Sequence, residues 1–177
     1  MGVVDEVLAE VAGAAVAAGT RMVDHVAAQE ACRRRGIAHD HFVAALVELK
    51  AADMVGLQLS PAGAVVLLAV SNAGLQHHLM ATRADLGELR RRVEGAAGAA
   101  VGAGPVRLQD QLGEPALVVE CLLDSLVNRR RLVYSKAPGR RFLVHRVHRD
   151  GPGSPGPPAP APEAAARGPA AAEAAGP

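Results

Sequence analysis

Two stretches of this chain carry the same pattern of apolar residues at an offset of 77 residues. The first part of each stretch has the spacing of an amphipathic helix, and the second part alternates as a β-strand does. The corresponding pairs are Phe42 and Val119, Ala45 and Leu122, Leu46 and Leu123, Leu49 and Leu126, Val55 and Leu132, Leu57 and Tyr134, and Pro61 and Pro138. The repeat restricts the chain to two similar small units, and we expect them at residues 1–72 and 73–150.

Each repeat ends in a predicted β-hairpin. In the first, residues 55–59 alternate up to a turn at residues 60–63, and residues 64–70 return as a second strand. In the second, residues 132–134 lead to Pro138-Gly139, and residues 140–148 return. A rival interpretation makes Ser60 the N-cap and Pro61 the first residue of a helix over residues 60–71. The clearer second hairpin favours a strand in the first as well.

Three helices are predicted ahead of the first hairpin. A stripe from Val4 to Ala15 predicts a first helix that ends near Gly19. A second helix is predicted to pass through Val23 and Val26 and to stop at Gly36. The third is predicted to begin at a capping Asp40.

A heptad-spaced stripe between the repeats predicts one further helix. On one interpretation this helix packs on its own unit; on the other it forms a homodimer or receives a helix from another subunit. The residues of that possible interface are Leu75, Leu79, Leu86, Leu89 and Val93.

Aromatic residues are scarce, at 2% of the chain with no Trp, so the core must consist of Ala, Val and Leu. Such a core favours an α+β fold that is mainly α and excludes a β-sandwich. Two cysteines, Cys32 and Cys121, cannot form the disulfide framework of a secreted domain. We therefore expect reduced thiols and a cytoplasmic protein, with no signal peptide and no membrane span, because the longest strongly apolar run is residues 64–70.

The net charge of +1 conceals an uneven distribution of charge. Residues 1–124 carry a net −5, residues 125–150 a net +7 and residues 151–177 a net −1. The basic segment predicts contact with phosphate or with an acidic protein surface, although plain solvated surface remains an alternative. Residues 151–177 are dominated by Gly, Pro and Ala, and we expect a disordered tail there.

A helix with the stripe Leu122, Leu123 and Leu126, a basic helix end and a hairpin with a Pro-Gly tip together resemble the winged-helix superfamily of bacterial regulators. The resemblance covers residues 76–148 well and residues 3–70 less well. It implies two tandem helix-turn-helix units with β-hairpin wings, with the third helix of a unit in the DNA major groove and the wing against the backbone. The tandem arrangement is also similar to winged-helix proteins that clasp the kleisin subunit of chromosome-organising complexes.

The chain departs from the DNA-reading pattern in its helices. The helix expected to read DNA in the second unit carries Glu120 and Asp124 and no Arg or Lys before Arg129. Arginine is the common reader of guanine, so base-specific reading is disfavoured. The residues that remain suited to phosphate contact are Arg129, Arg130, Arg131, Lys136, Arg140, Arg141, Arg146 and Arg149.

Patterns typical of enzymes are missing from the sequence. No phosphate-binding loop, no zinc spacing and no nucleophile signature occurs. We therefore expect no catalytic residue, no metal, no cofactor and no small-molecule substrate.

These observations predict a non-enzymatic DNA-associating protein, a transcription regulator or a component of a nucleoprotein complex, which contacts phosphates through its second wing. The alternative is a protein-binding adaptor that uses its tandem winged helices as a scaffold. The helices without arginine, the acidic first 124 residues and the heptad stripe all favour this alternative.

Overall fold

The computed structural model describes residues 2–148; Arg149 and the segment 151–177 lie outside this range. Within it, 56% of the residues are helical and 19% are in strands, which confirms the expectation of a mainly helical α+β protein. The strands form two small antiparallel sheets.

The first half contains three helices and a three-stranded sheet. Its elements are α1 (Val3–Ala18), β1 (Met22–Asp24), α2 (His25–Arg34), α3 (His39–Ala51), β2 (Val55–Leu59) and β3 (Val65–Val70). The strand order is β1-β3-β2. The turn is closed by the Gly63 amide, which donates to the Ser60 carbonyl at 2.9 Å. The hairpin prediction is confirmed, and the alternative of a helix over residues 60–71 is wrong.

The second half contains four helices and a hairpin. Its elements are α4 (Asn72–Thr82), α5 (Leu86–Ala99), α6 (Leu108–Leu112), α7 (Ala116–Asn128), β4 (Leu132–Ala137) and β5 (Arg141–Val147). Ahead of α6, Val106 exchanges two backbone hydrogen bonds with Phe142, at 2.9 and 2.8 Å. Val106 therefore pairs with β5 as β1 pairs with β3.

The repeat in the sequence is a repeat in the structure. Helices α3 and α7 begin 77 residues apart and also end 77 residues apart, and so do the starts of β2 and β4. The repeated helix positions and Val55 with Leu132 are buried in both copies. The same apolar spacing thus builds the same helix–strand corner twice.

The two halves share one cluster of buried side chains. Helix α4 packs against both α1 and α7, and α1 also contacts α7. Apart from Phe42 and Phe142, the core consists mostly of Val, Leu and Ala, as the composition predicts. Both cysteines are buried free thiols.

Two helix starts differ from the prediction. Residues 22–24 form β1 instead of helix, and α2 begins only at His25. Val26, in the first turn of α2, is 71% exposed. Asp24 caps α2 by accepting a hydrogen bond from the Ala27 amide at 2.8 Å. The prediction that Asp40 caps α3 is wrong, because Asp40 lies in the first turn of α3 and the N-cap is Ala38.

The prediction of one helix through the heptad stripe is wrong. The chain leaves the helical conformation at Arg83, whose backbone is extended, and a second helix begins at Leu86. The Arg83 guanidinium contacts the carboxylates of Asp85 and Glu114 at 2.8 and 2.9 Å, and this holds the break in place. The side chains proposed as an interface are all buried in the protein's own core and present no surface to a partner in this conformation: Leu75, Leu79, Leu86, Leu89 and Val93.

Candidate functional site

The basic residues predicted to contact phosphate lie at the two ends of the second hairpin. The base group consists of Arg129, Arg130, Arg131 and Arg146, and the tip group of Lys136, Arg140 and Arg141. Strands of this length separate the two ends by about 15 to 20 Å. The sequence predicted one basic surface, whereas the structure places these residues in two separate groups.

The base group surrounds the junction between α7 and β4. Arg129 is the C-cap of α7, and Arg130 follows in the left-handed conformation with φ 57°. Arg146 lies directly across the ladder from Val133 near the start of β4. Arg131 pairs with Glu94 at 3.5 Å. The side chains of Arg129, Arg130 and Arg146 are exposed, and none of them forms a hydrogen bond or ion pair with a side chain or backbone group of the described range.

The tip group lies against α7 and against Gly19 of the first half. Lys136 Nζ lies 2.6 Å from Glu120 Oε1. The Arg140 guanidinium rests on Gly19, where a β-carbon would lie only 2.6 Å from its Nη1 atom. A cavity of about 200 Å³ lies beside this contact and is lined by Gly19, Ala116, Leu117, Glu120, Lys136, Ala137, Arg140, Arg141 and Phe142. The tip is therefore docked against its own chain.

Helix α7 corresponds to the helix that the resemblance places in the DNA major groove. None of its residues from 116 to 126 is exposed. Helices α1, α4, α5 and α6 and strand β4 all contact it. In this conformation α7 has no face that could enter a groove.

The acidic residues of α7 bind the first half of the protein. Arg21, in the segment between α1 and β1, lies 3.3 Å from Glu120 and 3.2 Å from Asp124. Tyr134 donates a hydrogen bond from its hydroxyl to Asp124. Burial, assisted by Asp124 as acceptor, raises the pKa of Tyr134. The sequence analysis did not identify Arg21. The one available signal was the i, i+4 spacing of Glu120 and Asp124, which places two carboxylates on the same helix face.

Helix α3 differs from α7 in having an open face. Val47 is 61% exposed, and Val43, one turn earlier, is also exposed. Asp40 and Glu48 flank them, and Lys50 is the cation of this helix. This apolar and acidic surface is unsuited to phosphate.

A metal site would require several metal-ligating side chains to converge among residues 2–148. No group of three or more metal-ligating side chains converges there. A cleft of about 470 Å³ between α1 and α4 is lined mainly by apolar atoms, with Asp5, His77 and His78 at its polar side. Asp5 Oδ1 lies 3.6 Å from His77 Nε2, and burial lowers the pKa of His78.

Comparisons with known proteins add no relative. No protein-family model matches the chain. Searches of curated proteins and of solved structures found no match. Within the described range, no helix combines the length and apolar character required to cross a membrane.

Proposed function

We propose that the two halves are tandem winged-helix units, divided near residue 72. The support is an order of elements found in both halves: helix, short extended segment, helix, helix and hairpin. In the second half this order begins at α5, and α4 precedes it as an additional helix. In both halves the short segment pairs with the second strand of the hairpin. The halves also share one cluster of buried side chains, and α1 contacts both α4 and α7, so we expect the two units to act together.

We further propose that the protein is a non-enzymatic DNA-associating protein, a regulator or a nucleoprotein component, which binds the phosphate backbone through the base group. The observation that carries this proposal is the set of exposed, unpaired guanidinium groups at Arg129, Arg130 and Arg146. Three cations without carboxylate partners at one end of a hairpin attract a polyanion. The tip residues contribute less, because Lys136 and Arg140 are held against the protein itself.

The burial of α7 limits what such binding can recognise. With α7 enclosed and no cation on α3 before Lys50, neither helix offers an arginine to the edge of a guanine. Contacts to phosphate carry no direct sequence information. We therefore propose binding that depends on charge and shape rather than on sequence.

Replacing Arg129, Arg130 and Arg146 together by Ala should weaken binding to duplex DNA of any sequence by the same factor. The slope of log affinity against log salt concentration should become shallower by about 0.9 for each phosphate that the variant no longer neutralises. Fluorescence anisotropy with two duplexes of unrelated sequence, over a salt series, measures both quantities.

The charge-matched control replaces Arg33, Arg34 and Arg35, three arginines at the end of α2 in the first half. This variant loses the same charge but should keep most of the affinity. If both variants lose affinity equally, only total charge matters and the base group is not a site. Unchanged affinity in the base-group variant removes the group from the mechanism.

A second candidate function, a protein-binding adaptor, is favoured by the open face of α3. Exposed valines one turn apart, flanked by carboxylates, suit an apolar partner with basic residues better than they suit DNA.

Replacing Val43 and Val47 by Glu should leave the fold intact, because both side chains point to solvent, but should abolish retention of a stoichiometric protein partner. Affinity purification after nuclease treatment, with the wild type and the variant in parallel, measures this. A partner retained equally by both proteins excludes the α3 face, and loss of every partner after nuclease favours the DNA proposal.

A further inference from the structure

Strand β2 is an open edge of the first sheet. Its only backbone partner within residues 2–148 is β3. The Ser71 amide donates to the Met54 carbonyl at 3.0 Å, so Met54 faces β3, and by alternation Gly56 and Gln58 face β3 as well. Beyond the bulge, Ser60 bonds to Ala64 at 2.7 Å. The amides and carbonyls of Val55, Leu57 and Leu59 therefore point away from the sheet.

This edge lacks the charged residues and the proline that commonly keep edge strands apart. Residues 54–82 contain no Asp, Glu, Lys or Arg, and β2 contains no Pro. Leu59, at its end, is 53% exposed, and Val66 on the neighbouring strand is also exposed. Charged residues on an edge strand normally prevent pairing with another chain.

The internal repeat supplies a comparison within the same molecule. Strand β4 occupies the corresponding edge of the second hairpin, and it carries Lys136 and follows Arg129, Arg130 and Arg131. The β4 edge is thus protected by charge, whereas the β2 edge is not. Because the two strands arise from the same position of the repeat, the difference lies in their side chains and not in the fold.

We propose that β2 pairs antiparallel with β2 of a second copy of this chain, which joins two three-stranded sheets into one sheet of six strands. A two-fold axis at Leu57 sets Leu57 opposite its own copy and Val55 opposite Leu59 of the second copy. All of the outward backbone groups then find partners, with about six new hydrogen bonds. The exposed Leu59 is covered beside Val55, which already belongs to the core.

The sequence of β2 suits a second copy better than a different partner. Because β2 carries no charge, two copies of β2 can lie side by side without repulsion. The arrangement also closes at two copies, because the opposite edge, β1, has only three residues and contacts α1 and α2.

The test is the mass of the full chain in solution, measured by light scattering and sedimentation velocity over a concentration series without DNA. The wild type should approach twice the chain mass of 18.1 kDa. Gln58→Lys should remain monomeric, because its exposed side chain would bring charge to both copies at the new junction. Leu59→Pro should also remain monomeric, because it removes an outward donor without breaking the ladder to β3.

The matched control is Ser135→Lys, which introduces the same charge at the corresponding position of β4 and should keep the mass of the wild type. Circular dichroism establishes that each variant is folded. A wild type that stays monomeric throughout overturns the proposal, and so does a folded Gln58→Lys that remains dimeric.

A measurement on the unaltered protein decides the matter if the variants do not fold. The amides of Leu57 and Leu59 should exchange slowly with deuterium in a concentrated sample and quickly in a dilute one, because only pairing with a second copy protects them. Fast exchange at every concentration overturns the proposal. The outcome is independent of DNA binding, which depends on the base group at the other hairpin.

Discussion

Replacing Leu86 and Leu89 together by Asp should unfold the protein. Leu89 is 0% exposed, and Leu86 is also buried, at the start of α5. Each substitution removes a packed side chain, at about 2 to 5 kcal/mol, and adds an unpaired carboxylate to an apolar region, at several kcal/mol more. A protein of this size has a free energy of unfolding of only about 5 to 15 kcal/mol.

The matched control lies on the same helix with the same spacing. Glu88 and Arg91 are both exposed, so the double change Glu88→Asp with Arg91→Asp should leave the protein folded. Far-ultraviolet circular dichroism and thermal melting separate the two double variants. A folded Leu86→Asp, Leu89→Asp protein would show that these leucines are not core residues and would revive the hypothesis of an interface between subunits.

The parts of the fold that local pattern determines were predictable. Helices α3 and α7 and strands β2 and β4 follow from a change of apolar period, and each copy of the repeat supports the other. The turn of the first hairpin follows from its residues, because Ser60 accepts through its carbonyl and Gly63 adopts φ 81°. These features need no knowledge of what packs against them.

The short extended segment that pairs with each hairpin, β1 in the first half and Val106 in the second, was not predictable from local pattern. Residues 22–24 and Val106 become extended because β3 and β5 offer them backbone partners from far along the chain. The apolar spacing of Val23 and Val26 also fits a helix, so a strand there depends on tertiary pairing. Segments of one to three residues are too short for a period to identify them.

The heptad stripe shows how spacing misleads when a helix is interrupted. Leu79 and Leu86 are seven residues apart, and both are buried, yet they belong to different helices. The three residues between α4 and α5 preserve the register by accident of length. The break is stabilised by polar residues that the apolar spacing does not include. Arg83 and Asp85 form a local ion pair, and Glu114 joins them from far along the chain.

The candidate site, too, was only partly predictable from the sequence. That the segment after residue 128 is basic was evident, but which cations are free was not, because Glu94 and Glu120 become neighbours of Arg131 and Lys136 only in the folded chain. The carboxylates of α7 predicted that this helix does not suit DNA, and in the structure the helix is enclosed by other elements. Their partner, Arg21, could not be identified, because it lies about 100 residues away in sequence.

Replacing Gly74 by Ala should lower stability more than any other exchange of a glycine for alanine in a helix of the described chain. Helix α4 begins against the end of β2, where Ser71 donates its amide to the Met54 carbonyl at 3.0 Å. A β-carbon on residue 74 would lie 2.3 Å from that carbonyl oxygen and 3.3 Å from Val70 Cγ1. The start of α4 must then move away, which breaks the bond to Met54 and loosens Leu75. Overpacking and the broken hydrogen bond together cost about 2 to 4 kcal/mol.

Gly95→Ala in α5 is the control, because a β-carbon at that helical position meets nothing within 4 Å. Alanine there should raise the free energy of unfolding by about 0.5 to 1 kcal/mol, since glycine loses more backbone entropy in a helix. Urea denaturation measures both variants, and the melting temperature of Gly74→Ala should fall by about 5 to 15 °C. If the two substitutions have effects of the same sign and size, α4 is not seated on Met54. A loss of stability in Gly74→Ala alone instead shows that the packing of α4 on Met54 requires a glycine in the first turn of the helix.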